Sequence, residues 1–143
     1  MRSLGGEIMI ETYRGVVRPH HLDHMGHMNV QWYTAKFDEA TWHFFSSLGL
    51  TNAYFKAEMK GMAAVDQHTK YIAEALVGDL LLCRTKGISV DNKALKFEHH
   101  MFNAETEKLV ATTTLVGLHL DREIRKSCPF PAFVAEKFAA QGW

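Results

Sequence analysis

Cysteine is scarce in this chain. Only Cys83 and Cys128 occur in 143 residues, too few for a disulfide framework. Cys83 falls in an apolar strand pattern and reads as a small buried hydrophobe. Net charge is absent too, with 16 basic residues balancing 16 acidic ones. No basic run or basic helix face appears, which argues against a nucleic-acid surface. No apolar run approaches the roughly 18 residues of a membrane-spanning helix. The opening Met1-Arg2-Ser3-Leu4-Gly5-Gly6 has no apolar signal core. Repeats, low-complexity runs and linkers are also missing. What remains is one domain's length with 47% hydrophobic residues, enough for a proper core. The expectation is a soluble, cytoplasmic α+β domain.

Histidine is plentiful by contrast. The chain has nine, and His20, His21, His24 and His27 crowd into one short stretch. That stretch, His21-Leu22-Asp23-His24-Met25-Gly26-His27-Met28-Asn29-Val30-Gln31-Trp32-Tyr33, is where chemistry is expected. It brings an acid to the start of a long apolar helix, where amides without intrahelical partners and the helix dipole favour negative charge. Gly26 lets the backbone turn tightly. Taken alone, Asp23 also fits an N-cap, and His27 and Asn29 fit loop-shaping hydrogen bonds. The four histidines have a spacing that can gather around zinc, but no cysteine joins them.

The pattern around this stretch sets the fold. Glu7 to Arg18 predicts a strand, with Ile8, Ile10 and Thr12 on one face and Met9, Tyr13 and Val17 on the other. Gly15 marks a bulge or kink and Pro19 ends the strand. From Val30 to Ser47, Tyr33, Phe37, Ala40, Phe44 and Leu48 recur at helical spacing. Trp32, Ala35, Trp42 and Phe45 widen that face, leaving Lys36, Glu39 and His43 as a narrow polar stripe. A helix so apolar is expected to be surrounded. Gly49 suits its C-terminal cap. Thr51 to Met59 reads as a short helix or lid. Strands follow over Met62–Glu74, Leu80–Val90, Ala94–Asn103 and Leu109–Leu120, with turns at Gly78-Asp79, Asp91-Asn92 and Glu105–Lys108. Arg122 to Ser127 reads as a basic loop. Ala132 to Ala140 predicts a last helix, with Pro131 near its first turn. Four successive strands imply an antiparallel meander curved around the long helix. Leu81, Cys83 and Phe102 are expected on the outer face of that sheet, which favours self-association. His68, His99, His100 and His119 read as satisfied or solvated strand residues.

Asp23, Gly26, His27, Asn29 and Tyr33, followed by Phe37 and Ala40, resemble the opening motif of the hotdog-fold acyl-CoA thioesterases of the 4-hydroxybenzoyl-CoA thioesterase type. Gly78-Asp79 and the segment Arg125-Lys126-Ser127 through Pro129-Phe130-Pro131 extend the resemblance over nearly the whole chain. It implies a single hotdog domain over residues 1–143, α+β, with a curved antiparallel sheet around a central helix. It implies hydrolysis of an acyl-CoA to a carboxylic acid and CoA, in a homodimer or homotetramer, without metal or organic cofactor. Asp23 matches the catalytic acid, as nucleophile or general base. Amides around Asn29, Val30 and Gln31 would polarise the carbonyl, with His27 and Asn29 orienting water, carbonyl or acid. Gly26, Trp32 and Tyr33 would line the substrate, although Tyr33 also fits core packing. Trp32 and Trp42 together could cage a cationic acyl group. Arg125 and Lys126 would meet the phosphates of CoA, with Arg84, Lys93, Lys96 and Arg122 as further cations. Val30 stands where many members carry a second asparagine. Some hotdog thioesterases take their carboxylate from the helix, which makes Asp38 and Glu39 the fallback. The Gly26-His27-Met28 turn also resembles thioesterase domains linked to carnitine breakdown. Aromatic, aliphatic and cationic acyl groups such as betainyl all stay open. A hydratase or dehydratase using His24 or His27, and a non-catalytic acyl-CoA binder, are the alternatives.

Overall fold

In the computed structural model, the described residues are the backbone of 2–4 and the whole of 7–143. Seven strands and three α-helices follow in the order β1 (Arg2–Leu4), β2 (Glu7–Val16), α1 (Val30–Ser47), α2 (Asn52–Glu58), β3 (Lys60–Tyr71), β4 (Leu80–Val90), β5 (Ala94–Asn103), β6 (Leu109–Asp121), β7 (Lys126–Ser127) and α3 (Ala132–Ala140), with a 3-10 turn at Pro19–His21 before α1. The strands form one antiparallel sheet in the order β1-β2-β4-β5-β6-β3, with β7 paired to β6. It curls around α1, giving the expected α+β hotdog architecture. Among the described residues no helix is long and apolar enough to cross a membrane.

Turn chemistry explains the hairpin from β4 to β5. Asp91 Oδ1 accepts the Lys93 and Ala94 amides at 3.0 and 2.8 Å, an Asx turn that reverses the chain in few residues. The meander is real for β4, β5 and β6 but not for β3, which pairs with β6 on the far side. The chain therefore crosses from one sheet edge back to the middle through residues 72–79. Ile72 and Ala73 donate to Val110 O, and Leu76 N–H is taken by Asp79 Oδ2 at 2.9 Å. The expected strand Met62–Glu74 thus stops at Tyr71. Within the basic loop, Lys126 and Ser127 pair with Asp121 and Leu120 as β7.

Two buried clusters pack the inner sheet face against α1. Val17, Met28, Tyr33, Phe37, Ala40, Leu81, Cys83 and Met101 lie around its first half. Phe44, Phe45, Leu48, Leu95, Phe97 and Leu115 lie around its second, closed by Val134 and Phe138 of α3. Leu81 and Cys83, expected outside, are 1% and 0% exposed in this core. Phe102 alternates with the core residue Met101 and belongs to neither cluster; the Arg84 guanidinium, 5.2 Å from its ring centroid, covers it on the opposite face. Leu81 and Cys83 share the inward face of β4, and their register with β5 is unbroken. In β2 the register against β4 shifts between Glu11 and Tyr13. The β2 irregularity is therefore not at Gly15. Gly15 lies under the Tyr13 ring, where a Cβ would sit 2.0 Å from the phenol oxygen.

Nor is α1 surrounded. Thr34, Ala35, Asp38 and Trp42 form an exposed stripe, with Trp42 52% exposed. Lys36, assigned to the polar stripe, is buried; its Nζ donates to Tyr13 Oη at 2.9 Å and lies 3.5 Å from Val16 O. Its stem packs in the core while one phenol and one carbonyl satisfy the ammonium. Gly49 does cap the helix, with φ +83° and its amide on Ser46 O.

Candidate active site

The loop before α1 is closed on itself by backbone hydrogen bonds. Asp23 N–H donates to His27 O at 2.8 Å and Gly26 N–H to Asp23 O at 3.1 Å. This turn needs a left-handed residue, and Gly26 sits at φ +80°. Two further bonds anchor the loop's exit, Met28 N–H to Ala75 O and Asn29 N–H to His21 O, both 2.8 Å. The crossover segment 72–79 is therefore one wall of the loop's surroundings.

Asp23 is held inside this turn. Its Oδ1 accepts Met25 N–H at 2.8 Å and His27 N–H at 3.2 Å. The Met25 amide, then the His27 amide and the nearby His24 and His27 rings, hold its carboxyl below the usual carboxylate range, against a smaller opposing effect of burial. Oδ2 has no hydrogen-bond partner among the described residues.

Four amides at a helix start have no acceptor within the helix. At α1, Asn29 N–H goes to His21 O, Gln31 N–H to Asn29 Oδ1 at 3.0 Å, and Trp32 N–H to Asn29 O at 2.9 Å. Among the described residues, Val30 N–H is the one of the four without an acceptor. Three candidate donors at this position thus reduce to one, because the Asn29 side chain serves as the N-cap.

A cavity of about 240 Å³ opens beside Val30 and is lined also by His27, Met28, Tyr33, Tyr71, Ile72, Ala73 and Glu74. His27 Nε2 lies 3.1 Å from Glu74 Oε2. Tyr33 is buried, donates to Ala73 O at 3.4 Å and meets Tyr71 edge to face. Burial pushes its phenol pKa up.

A larger cavity of about 440 Å³ runs along the exposed stripe of α1, against α2, β3 and β6. Asp38, Trp42, Phe45, Phe55 and Gln67 line it, with Lys56, Lys60 and Arg122 at one end. Arg122 also donates to the carbonyls of Lys60 and Phe55, and Lys60 pairs with Asp121 at 3.0 Å.

Of the sequence candidates, His27, Val30 and Tyr33 line the smaller cavity, while Asp23, Gly26 and Asn29 line neither. Trp32 packs against the His20 and His21 rings, at 5.4 and 4.4 Å between centroids, and lines neither cavity. Arg125 occupies a left-handed turn at φ +58°, and Lys126 starts β7; neither lines these cavities. The histidines separate into two groups: His20 and His21 meet at 4.2 Å between ring centroids, with His21 Nδ1 accepting Arg18 N–H, while His27 faces Glu74. Among the described residues no three histidine, cysteine or acidic side chains are placed to hold a metal ion. Glu74 and Tyr71 were not singled out from sequence. Tyr71 ends β3 and Glu74 lies in the crossover beyond it, so partnership with the histidine loop arises from the crossover.

An L-carnitine dehydrogenase/betainyl-CoA thioesterase of Rhizobium meliloti is 28% identical over 116 residues, covering 81% of this chain and 23% of that protein. The chain thus spans under a quarter of that relative's length. A betainyl-CoA thioesterase of Pseudomonas aeruginosa is 24% identical over 132 residues, covering 92% of this chain and 83% of that protein. Among solved structures, a Staphylococcus aureus protein in complex with CoA superimposes with a TM-score of 0.86 at 21% identity, over 94% of this chain and 85% of that one. With the hotdog architecture and the loop-to-helix motif in place, the chain belongs to the thioesterase-like superfamily, whose family model matches residues 17–138.

Proposed function

We propose that this chain hydrolyses an acyl-CoA thioester at the head of α1. The observation that carries the reading is the pairing of one unengaged helix-start amide, Val30 N–H, with an ionised carboxylate in the preceding turn. Hydrolysis needs both: an oxyanion donor fixed before charge develops, and a carboxylate able to attack or to take a proton. As general base, Asp23 takes a proton from water while its oxygen adds to the carbonyl; the tetrahedral oxyanion sits on Val30 N–H; collapse breaks the C–S bond and CoA leaves as thiolate, taking up a proton. As nucleophile, Asp23 forms a mixed anhydride on expelling the thiolate, and water then cleaves the anhydride. Its low pKa keeps the carboxylate charged at neutral pH, as either route requires. His27, held by Glu74, borders the cavity where the reacting carbonyl would lie.

Lys56, Lys60 and Arg122 at the end of the larger cavity suit the phosphates of CoA. The named relatives put betainyl-CoA on the list of substrates to test.

The test is thiol release from acetyl- to palmitoyl-CoA, benzoyl-, phenylacetyl- and betainyl-CoA by the wild type and Asp23→Asn. Turnover by the wild type and its loss by about 10³-fold in the variant is expected, with an unchanged circular-dichroism spectrum. If the variant keeps more than about a tenth of the rate, the acid is not Asp23, and Asp38 in the larger cavity becomes the next to replace. The His27–Glu74 pair also matches the acid–base pair that hydration of an enoyl-CoA would use. Water addition to crotonyl-CoA, retained in Asp23→Asn, would favour that second reading.

A further inference from the structure

The smaller cavity has an aromatic corner with a carboxylate beside it. The Tyr33 and Tyr71 rings meet at 86°, with centroids 5.1 Å apart. Glu74, its side chain 68% exposed, lines the same cavity with Oε2 toward His27. No lysine or arginine is among the described residues that line it. Aromatic faces attract a cation through their quadrupole, and a nearby carboxylate adds a full opposite charge. A neutral acyl group placed here would strip water from Glu74 and offer it nothing in return, while an anionic one would be repelled. Val30 lines the same cavity of about 240 Å³, so its occupant is an acyl group short enough to keep its carbonyl at that amide.

The larger cavity also pairs an acid with aromatic rings, Asp38 with Trp42. Asp38 lies eight residues beyond Val30, about 12 Å along the axis at 1.5 Å per residue. A short acyl group anchored at the helix start does not span that distance. The cation site is therefore the corner beside Val30.

We propose that Glu74, with Tyr33 and Tyr71, selects a short acyl group carrying a fixed positive charge of the quaternary-ammonium class. This rests on the thioesterase reading above and adds to it the residues that read the acyl charge.

The experiment compares betainyl-CoA with 3,3-dimethylbutyryl-CoA, in which a quaternary carbon replaces the quaternary nitrogen at nearly the same shape. The readout is the ratio of their kcat/KM values. The wild type is expected to prefer the charged ester by about tenfold or more, and Glu74→Gln and Tyr71→Leu each to lower that ratio by about tenfold. Glu74 and Tyr71 are both largely exposed, so folding of the variants is checked simply by circular dichroism. An unchanged ratio in Glu74→Gln, with both esters slowed equally, assigns the carboxylate to holding His27 and overturns the proposal. A wild type that prefers the neutral ester, or that cleaves other acyl-CoAs and neither of these, overturns it as well. A wild type that releases thiol from no acyl-CoA at all instead removes the thioesterase reading beneath it.

Discussion

His99 is a histidine with no contact with water. It is fully buried, stacked on Phe37, with Nδ1 2.6 Å from Thr85 Oγ1 and Nε2 2.8 Å from Thr41 Oγ1. Thr41 gives its own proton to Phe37 O at 3.0 Å, so Nε2 carries the hydrogen and Nδ1 accepts from Thr85. Thr85 Oγ1 also lies 2.8 Å from Thr12 Oγ1, which donates to Cys83 O at 3.4 Å. All of these partners are neutral, so none of them offsets the desolvation of a charged imidazolium. Burial accordingly brings the His99 pKa down to about 3. In the unfolded chain the ring titrates near 6.5. Between these values the unfolded state binds the extra proton. Stability is therefore complete above about pH 6.5 and falls as pH drops toward 3, by up to about 1.4 kcal/mol per unit. Burial of His21 and His119 acts in the same direction. Urea midpoints at pH 7 and pH 5 check this, and a flat profile would mean that His99 is charged in the fold. Asp23 behaves separately. Its carboxyl is depressed, so its contribution is present above the ordinary carboxylate range and is lost only in stronger acid, as pH falls through its lowered value.

The element that matters most is α1, because its first turn is at once a structural terminus and the proposed reaction site. Asn29 Oδ1 satisfies Gln31 N–H and fixes where the helix begins. Asn29→Ala should lower stability by about 1 kcal/mol, while Asn29→Asp keeps an acceptor and most of the stability; thermal unfolding of the pair separates capping from chemistry. At the other end of the same helix, Phe44 is fully enclosed by Phe45, Phe97 and Trp143. Phe44→Ala should cost about 3–5 kcal/mol, read as a shift in the urea midpoint. The bounds of α1, β4, β5 and α3 were legible in sequence because caps, turns and periodicity are local properties. The motif turn was legible for the same reason, through Asp23, Gly26 and Asn29. The partner of β3 was not, since strand pairing is decided by the whole sheet. Lys36 was misread because charge does not reveal that Tyr13 and Val16 wait for it across 20-odd residues. Glu74 was invisible because only the crossover brings it to His27.

At the scale of the whole molecule, β3 leaves one sheet edge open among the described residues, and it is 12 residues long. Val65 and Tyr71 are exposed on it. A long edge with apolar side chains invites a further strand, and a second copy of β3 is the simplest one, giving a two-fold dimer. Both cavities touch β3 and would then border the interface. The protein is expected to elute well above its 16.3 kDa monomer mass, and Val65→Lys, which places like charges on both copies, to move it toward the monomer. A wild-type monomer in size-exclusion chromatography with light scattering would count against shared sites.

The crossover from β3 to β4 also orders events in time. Residues 72–79 can take their place only once β3 has found β6, because Ile72 and Ala73 bond to Val110. Met28, in turn, bonds to Ala75, so the turn that holds Asp23 has its outer wall only after that pairing. Closing such distant pairs is slow compared with forming a helix. Refolding chains should therefore regain helical circular dichroism first and turnover later, with a catalytically silent, largely helical species in between.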